Sequence, residues 1–490
     1  MNVILAIDLG TTGNRVIAFS ENGTVVSKSY YEFPQIFPQP GWVEHDPFDI
    51  WNTVKRALTD VAAAVGPENI AAIGITNQRE TTILWDKSTG KPVYNAIVWQ
   101  CRRTASQCDR LREHAGFIKQ RTGLFLDPYF SATKIKWILD HVEGARQKAE
   151  NGQIIFGTVD TWVLWNLTGG AAHATEPSNA SRTLCFNIHT LRFDDDLLRI
   201  FDIPETLLPE VKESGADFGH TAKKLLGREI PITGILGDQQ AAFFAHGGWQ
   251  EGVIKNTYGT GLFVVTSTGD QIPNSGKLVN TIAWSIDGKV TYALEGSVFI
   301  GGAAIQWLRD GLKIIQSAGE SEPLAVSLPD NEGVYFVPAL AGLGAPYWDP
   351  SARGTFLGIT RGTGPAHFAR AALEAIAYQS KDVIEEMRVV TRGDAFRKLA
   401  VDGGAAQNNF LMQFQADILP MTVERPVVTE TTAFGAAGLA GITSGFWTRE
   451  QFLEARKVDR VFTPEMDDQT RGAYYSRWKE AVERALRWAG

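Results

Sequence analysis

MNVILAIDLGTTGNRVIAF, residues 1–19, consists of two apolar runs joined by a loop rich in glycine and threonine. The first run carries a carboxylate, Asp8, near its end, and Arg15 precedes the second. Glycine lets backbone N–H groups turn into a concavity, threonine hydroxyls add donors, and one cation offsets negative charge. The stretch therefore predicts two β-strands, at 3–9 and 15–20, whose connecting loop is suited to hold a phosphate.

The connecting loop does not match the common nucleotide-binding motifs. It lacks the lysine of G-x-x-x-x-G-K-[ST] and the spacing of G-x-G-x-x-G. Taken alone, it is equally compatible with an ordinary glycine-rich turn. The second half of the chain repeats the pattern, because an apolar run at 252–258 leads into Gly259-Thr260-Gly261 and another, at 398–401, leads into Asp402-Gly403-Gly404. Three such loops favour a nucleotide held between two domains.

Strands alternate with helices along the chain, which predicts an α/β protein. Asn22-Gly23 indicates a hairpin into a third strand, and Asp46-Pro47 indicates the start of a helix. The spacing of apolar residues predicts a long helix after Pro365 and another near the C-terminus. Because 490 residues are too many for one core, we predict two domains, residues 1–247 and 248–490.

Composition argues against several classes of protein. The net charge of −8 disfavours nucleic acid or an anionic membrane as the main partner, since both require a basic surface. The three cysteines form no C-x-x-C pair and the histidines show no zinc-ligand spacing, which predicts free thiols, a reduced compartment and no structural metal. No apolar run is long enough to span a bilayer, and no basic leader is present. We therefore predict a cytoplasmic protein.

Two aspartates that follow apolar runs are candidates for phosphoryl chemistry. Asp8 beside a polyphosphate would hold Mg²⁺, mainly through water, and its alternative role is to cap its own turn. Asp238 lies in the sequence GDQQ before a predicted helix, so its alternative role is an N-cap. Four other residues have ordinary structural interpretations as well. Arg79-Glu80 could form a solvated ion pair at the surface, and Trp99 and Phe263 could pack in the core.

Several stretches of sequence resemble the FGGY family of carbohydrate kinases. Two match its signatures: YFSATKIKW at 129–137, and GTFLGI at 354–359 with His367-Phe368 and Leu373-Glu374 after it. Three others resemble more narrowly the family members that phosphorylate glycerol: GWVEHDP at 41–47, NQRETT at 77–82 and GDQQAA at 237–242. The resemblance extends nearly end to end. It implies two ribonuclease-H-like domains of the actin/Hsp70 type, with a nucleotide and substrate cleft between them.

The resemblance also implies an activity, ATP-dependent phosphorylation of glycerol, with Asp238 as general base and with Asp8 and Asp238 beside Mg²⁺. Its polyol contacts fall on Arg79, Glu80, Trp99, Tyr129, Asp238, Gln239 and Phe263. Its nucleotide contacts fall on Thr11, Thr12, Gly13, Arg15, Thr260, Gly302, Gln306, Gly404 and Asn408. The polyol site and first phosphate loop are expected in domain 1–247, and the second phosphate loop and adenosine site in domain 248–490. A homo-oligomer, either dimer or tetramer, is also expected.

Two other functions stay open at this level. A kinase of the same family acting on a sugar such as xylulose or gluconate shares the signatures, although Arg79-Glu80 with Trp99 favours a small polyol. An actin- or Hsp70-like ATPase module would explain the phosphate loops but would leave the polyol residues without a purpose. Glu229 is a departure, because relatives inhibited by fructose 1,6-bisphosphate carry an arginine there. We therefore expect the catalytic residues to carry over and this inhibition to be absent.

Overall fold

The structure, a computed structural model, describes residues 1–391 and 396–489. Its first large sheet contains β1 (Val3–Leu9), β2 (Gly13–Ser20), β3 (Val25–Glu32), β4 (Ile70–Asn77) and β5 (Ile232–Gly237). The order across the sheet is β5-β4-β1-β2-β3. β2 is antiparallel to β1 and β3, whereas β4 is parallel to β1 and β5. The predicted strand–loop–strand opening and the hairpin after β2 are confirmed.

The second large sheet repeats this arrangement. Its strands are β6 (Val253–Tyr258), β7 (Leu262–Gly269), β8 (Val279–Ile286), β9 (Lys289–Val298), β10 (Lys398–Asp402), β11 (Thr422–Pro426) and β12 (Val458–Phe462). The order is β8-β9-β7-β6-β10-β11-β12. Like β1, β6 is antiparallel to the next strand, β7, and parallel to β10, which follows a long crossover. The two glycine loops therefore occupy equivalent positions in two similar units.

Helices cover both sheets, which confirms the α/β prediction. The longer ones are α1 (Pro47–Val65), α2 (Ser131–His141), α3 (Val159–Leu167), α4 (Asp238–Ala245), α5 (Ala303–Asp310), α6 (Pro365–Thr391), α7 (Asn409–Ile418), α8 (Thr431–Thr443) and α9 (Asp468–Ala485). Other helices include Ala105–Arg110, Ala115–Thr122, Asp195–Phe201, Lys223–Leu226, Ser321–Val326 and Arg449–Ala455. The predicted helices after Asp46, after Pro365 and near the C-terminus are all present.

Local chemistry explains where α1 begins and ends. The carboxylate of Asp46 accepts a hydrogen bond from the backbone N–H of Phe48 at 2.8 Å, and Pro47 occupies the first helical position. Gly66 ends the helix at a φ of 82°, a value that glycine adopts without steric strain. These signals depend only on neighbours in the chain, which is why the helix is predictable from the sequence.

α8 joins the two units, because it follows β11 in the chain but packs on β1, β4 and β5 of the first sheet. One core cluster accordingly contains Phe19 from the first sheet, Trp284 from the second and Phe434 from α8. The contact is close enough to require glycine. A Cβ atom on Gly74 would lie 2.2 Å from the carbonyl oxygen of Ala436.

Gly74→Ala is expected to destabilise the fold by about 1–3 kcal/mol, because the added methyl group overpacks the α8 contact. Urea unfolding monitored by tryptophan fluorescence measures this loss. Gly116→Ala is the matched control, since a Cβ atom there meets nothing within 4 Å and Gly116 is itself exposed in the helix Ala115–Thr122. Equal midpoints for the two variants would contradict the close packing of α8.

Cys101, Cys108 and Cys185 are buried free thiols. Within residues 1–391 and 396–489, no helix combines the length and the apolar character needed to cross a bilayer.

Candidate active site

Arg79 and Asp238 meet at the carboxyl ends of two neighbouring parallel strands. β4 ends at Asn77, two residues before Arg79, and β5 ends at Gly237, directly before Asp238. Nε of Arg79 lies 3.1 Å from Oδ1 of Asp238. Gly237 is the N-cap of α4 and Asp238 its first residue, so the alternative role of Asp238 as an N-cap does not apply.

A buried ion cluster surrounds this pair. The guanidinium of Arg79 donates to both carboxylate oxygens of Glu295, at 2.6 and 3.2 Å. Arg182 donates from Nε to Oε1 of Glu80 at 2.6 Å and from Nη2 to Oε1 of Glu295 at 3.0 Å. The side chains of Arg79 and Glu80 are 2% and 1% exposed, which excludes a solvated surface pair.

The carboxylates of the cluster differ in exposure and in ionisation. Burial disfavours the charged form of Glu295, but Arg182 and Arg79 outweigh it and lower its pKa to about 2. Burial outweighs the arginines at Glu80 and raises its pKa. The side chain of Asp238 is 32% exposed, against 1% for Glu80 and Glu295. Asp238 is therefore the most accessible of the three carboxylates to a substrate.

Aromatic residues border the ion cluster. The rings of Trp99 and Tyr129 pack edge to face, with centroids 5.5 Å apart. Phe263 lies on β7 directly opposite Ser297 of β9, two residues from Glu295, so Phe263 and Glu295 project from the same face of the sheet. Trp99 and Phe263 are only partly buried, which does not fit a purely core role. The structure thus brings the predicted polyol residues to one region.

Residues of the motif GWVEHDP form hydrogen bonds with the chain on both sides of Trp99. Glu44 accepts hydrogen bonds from Arg103 at 2.6 Å and from Tyr94 and Asn95 at 2.8 Å, and these residues flank Trp99 in the chain. Burial lowers the pKa of His45 to about 4, so its ring is neutral, and its Nε2 pairs with Oε1 of Gln35 at 2.7 Å. The motif therefore holds Trp99 and the neighbouring loop in place.

Sequence reasoning missed three charged residues of the site: Arg182, Lys255 and Glu295. Nζ of Lys255 donates to Oε1 of Gln239 at 2.5 Å, and Nε2 of Gln239 donates to the Asp238 carboxylate at 3.1 Å. Burial lowers the pKa of Lys255. Lys255 follows Val253-Ile254 and Glu295 follows Ala293-Leu294 within their strands, and a charge directly after an apolar stretch of a strand is a signal that could have identified them.

The first predicted phosphate loop lies beside the ring of Trp99. Trp99 donates from its indole nitrogen to the hydroxyl of Thr11 at 3.0 Å, which links the loop to the polyol residues. Gln35 donates to the carbonyl of Thr11 and Gln78 to that of Gly10, both at 3.0 Å. Thr12 is exposed at the tip of the loop. The carbonyls of Gly10 and Thr11 are thus held by side chains from outside the loop, while the N–H of Gly10 donates within the loop, to the carbonyl of Gly13 at 3.1 Å.

Asp8 pairs across the hairpin with Arg15, with Oδ2 and Nε 3.3 Å apart, and among the described residues its carboxylate accepts no hydrogen bond from the turn that follows. Burial raises its pKa to about 6, Arg15 opposes the rise and Asp238 adds to it. Within the described residues no cluster of three or more His, Cys, Asp or Glu could enclose a metal. Two mutually repelling carboxylates nevertheless fit Mg²⁺, which binds proteins through one or two carboxylates and retains water.

A pocket of about 510 Å³ lies in the second unit, around the second and third glycine loops. It is lined by five of the predicted nucleotide contacts: Thr260, Gly302, Gln306, Gly404 and Asn408. Gly403 precedes it at a φ of 87°, and a Cβ atom there would lie 2.6 Å from the carbonyl oxygen of Tyr258. The other predicted nucleotide contacts lie in the first phosphate loop, so the two sets come from opposite units.

Comparison with known proteins identifies the family. A model of the N-terminal domain of the FGGY family of carbohydrate kinases matches residues 3–245, and a model of the C-terminal domain matches residues 254–444. The chain belongs to the FGGY family of carbohydrate kinases. This FGGY kinase is 58% identical to a glycerol kinase of Aquifex aeolicus, with all of both chains covered, and 58% identical to glycerol kinase 2 of Thermotoga maritima, covering 100% and 99%.

Solved structures confirm the predicted fold of two ribonuclease-H-like domains. Glycerol kinase of Plasmodium falciparum, crystallised with ADP, matches this FGGY kinase with a TM-score of 0.94 at 36% identity, covering 99% of this chain and 98% of that one. A xylulose kinase of Lactobacillus acidophilus matches with a TM-score of 0.88 at 22% identity, covering 99% and 97%. The second match concerns the fold alone.

Proposed function

We propose that this chain transfers the γ-phosphoryl group of ATP to glycerol, giving sn-glycerol 3-phosphate. The observation that carries the proposal is the juxtaposition of a small polar cluster with a phosphate loop, through the Trp99–Thr11 hydrogen bond. The full-length similarity to glycerol kinases supports the same substrate. The pocket of the second unit is of a size suited to the adenosine part of the nucleotide.

The polyol site follows from the needs of glycerol, three carbons with three hydroxyls. Arg79 donates in a fixed fork geometry. Oε1 of Glu80 is held by Arg182, and Oε2 has no hydrogen-bond donor among the described residues, so it is available to a hydroxyl. The faces of Trp99 and Phe263 cover the C–H side of the substrate. Asp238, Gln239 and Tyr129 complete the proposed set.

The proposed mechanism relies on positioning and on charge neutralisation, because phosphoryl transfer passes through a loose transition state. Asp238 accepts the proton of the attacking hydroxyl as the new P–O bond forms. Arg15 and the backbone N–H groups of 11–13 neutralise the transferred group. Closure of the cleft excludes water and so suppresses ATP hydrolysis. Asp8 and Asp238 would hold Mg²⁺, which supplies further positive charge at the phosphates.

An assay of ADP formation tests the proposal. The purified chain with Mg-ATP is expected to form ADP only when glycerol is added, with one phosphorylated glycerol per ADP. Xylulose and gluconate serve as comparison substrates. Rapid ADP formation without any acceptor would instead indicate an ATPase module, and faster turnover of either sugar would assign the site to a different carbohydrate. The cytoplasmic location and the homo-oligomer stay predictions.

Fructose 1,6-bisphosphate is not expected to inhibit this enzyme at concentrations that inhibit its regulated relatives. Glu229 is exposed, and its negative charge opposes a bisphosphate where a guanidinium would attract it. The neighbouring Arg228 donates from Nη1 to the carbonyl of Pro67 at 3.3 Å, which occupies part of its guanidinium. Titration of the glycerol-dependent activity, with Glu229→Arg and Glu229→Gln alongside, measures the effect. Strong inhibition of the unmodified protein would contradict this expectation.

A further inference from the structure

Glu295 connects the two units at the proposed polyol site. It lies on β9 of the second sheet, yet both of its carboxylate oxygens accept hydrogen bonds from arginines of the first unit. Arg79 follows β4 in the first unit and Arg182 follows a short helix at Pro177–Ala180. The three side chains are at most 2% exposed. The second unit therefore contributes the carboxylate that two arginines of the first unit share.

Each of these arginines also contacts a carboxylate that is proposed to bind the polyol. Nε of Arg79 lies 3.1 Å from Asp238, and Nε of Arg182 donates to Glu80 at 2.6 Å. The cluster thus contains two cations and three carboxylates. Glu295 accepts from the terminal nitrogens of both guanidinium groups, Nη1 and Nη2 of Arg79 and Nη2 of Arg182. Without the charge of Glu295, Arg182 would keep only the carboxylate of Glu80 among the described residues. Arg79 would keep Asp238 at 3.1 Å, Glu80 at 4.0 Å and the side-chain oxygen of Gln240 at 3.3 Å. Neither guanidinium would then have a carboxylate on its terminal nitrogens, and both would be held less firmly in rotation.

We propose that Glu295 is a positioning residue that orients Arg79 and, through Arg182, Glu80 for the hydroxyls of the polyol. The inference rests on the proposed function of this site and adds a residue that acts without touching the substrate. Because Glu295 lies on the second sheet, Arg79 and Glu80 of the first unit are oriented for the polyol only when β9 is packed against them. A buried charge pair that served the fold alone would leave the affinity for glycerol unchanged.

Glu295→Gln is the main test, because glutamine keeps the shape of glutamate and removes its charge. The KM for glycerol is expected to rise about tenfold or more, the cost of weakening hydrogen bonds to charged groups, while the KM for ATP changes less than twofold. In a double-mutant cycle with Arg182→Gln, the effects on the glycerol KM are expected to be clearly non-additive. An unchanged glycerol KM, or additive effects, would overturn the inference.

Glu374→Gln is the matched control. Glu374 is also buried and also accepts from an arginine, Arg370, at 2.8 Å, but in α6 of the second unit. It is expected to lower stability without a change in the glycerol KM. If Glu295→Gln does not fold, Glu295→Asp is the second variant, because aspartate keeps the charge on a shorter side chain. It is expected to raise the KM for glycerol. An unchanged KM for glycerol in this variant would overturn the inference. Lack of glycerol-dependent ADP formation by the unmodified protein would refute the proposed function instead.

Discussion

Asp238→Asn is expected to lower kcat by about 10²–10⁴-fold, the usual contribution of a general base. The side-chain oxygen of asparagine accepts from Arg79 and from the backbone N–H of Gln239 as aspartate does, so the fold is kept. Its amide nitrogen loses only the hydrogen bond from Nε2 of Gln239. Asparagine cannot take up the proton of the attacking hydroxyl. Because each tenfold loss in rate corresponds to about 1.4 kcal/mol, the expected loss of transition-state stabilisation is about 3–5 kcal/mol.

Steady-state kinetics at saturating glycerol and ATP measure this loss, and thermal unfolding of the same preparation checks the fold. Asp310→Asn is the control for aspartate substitution, since Asp310 is exposed and pairs only with its neighbour Arg309 among the described residues. Near-native turnover by Asp238→Asn would end the assignment of Asp238 as the base. An equal loss of kcat in the Asp310 variant would show that the loss is not specific to Asp238.

Arg79→Ala is expected to raise the KM for glycerol far more than the KM for ATP. Loss of one charged donor to buried hydroxyls costs about 1.5–3 kcal/mol, or about 10–100-fold in affinity. The ion cluster adds an effect on stability that is not evident from the sequence. The substitution leaves Glu295 with Arg182 as its remaining partner, and breaking a buried pair by removing one member costs about 3–5 kcal/mol.

Glycerol and ATP titrations of the variant separate the two KM values, and urea unfolding measures the loss of stability. Arg112→Ala is the control, because its side chain is 80% exposed and, among the residues that the structure describes, forms an ion pair only with Asp109 at the surface. If the KM for ATP rose and that for glycerol did not, Arg79 would belong to the phosphate side of the cleft. A variant as stable as the unmodified protein would show that the cluster contributes little to folding.

The proposed reaction draws on residues from both units. The first phosphate loop and Asp238 come from the first sheet and its loops, while the larger pocket is lined by residues of the second. Glu295 and Phe263 reach from the second sheet toward the proposed polyol residues. Transfer between two bound substrates requires that both be held in one geometry, which the contact between the sheets provides.

Much of the fold follows from signals that are local in the chain. Apolar runs, the Asn22-Gly23 hairpin and the Asp46-Pro47 cap each involve residues within a few positions of one another, and the structure confirms the elements they predict. The resemblance to a family of known enzymes supplied the candidate site residues. Their individual roles stay predictions, although the structure brings Arg79, Asp238 and Trp99 to one region.

The sequence by itself determined the α/β class, the repeated glycine loops and the candidates for phosphate and polyol binding. Only the tertiary structure decided that α8 packs on the first sheet and that Glu295 pairs with Arg79, 216 positions away in the chain. The physical reason is that caps and turns are stabilised by neighbouring groups, whereas a buried charge is stabilised only by whichever partner sheet packing brings to it.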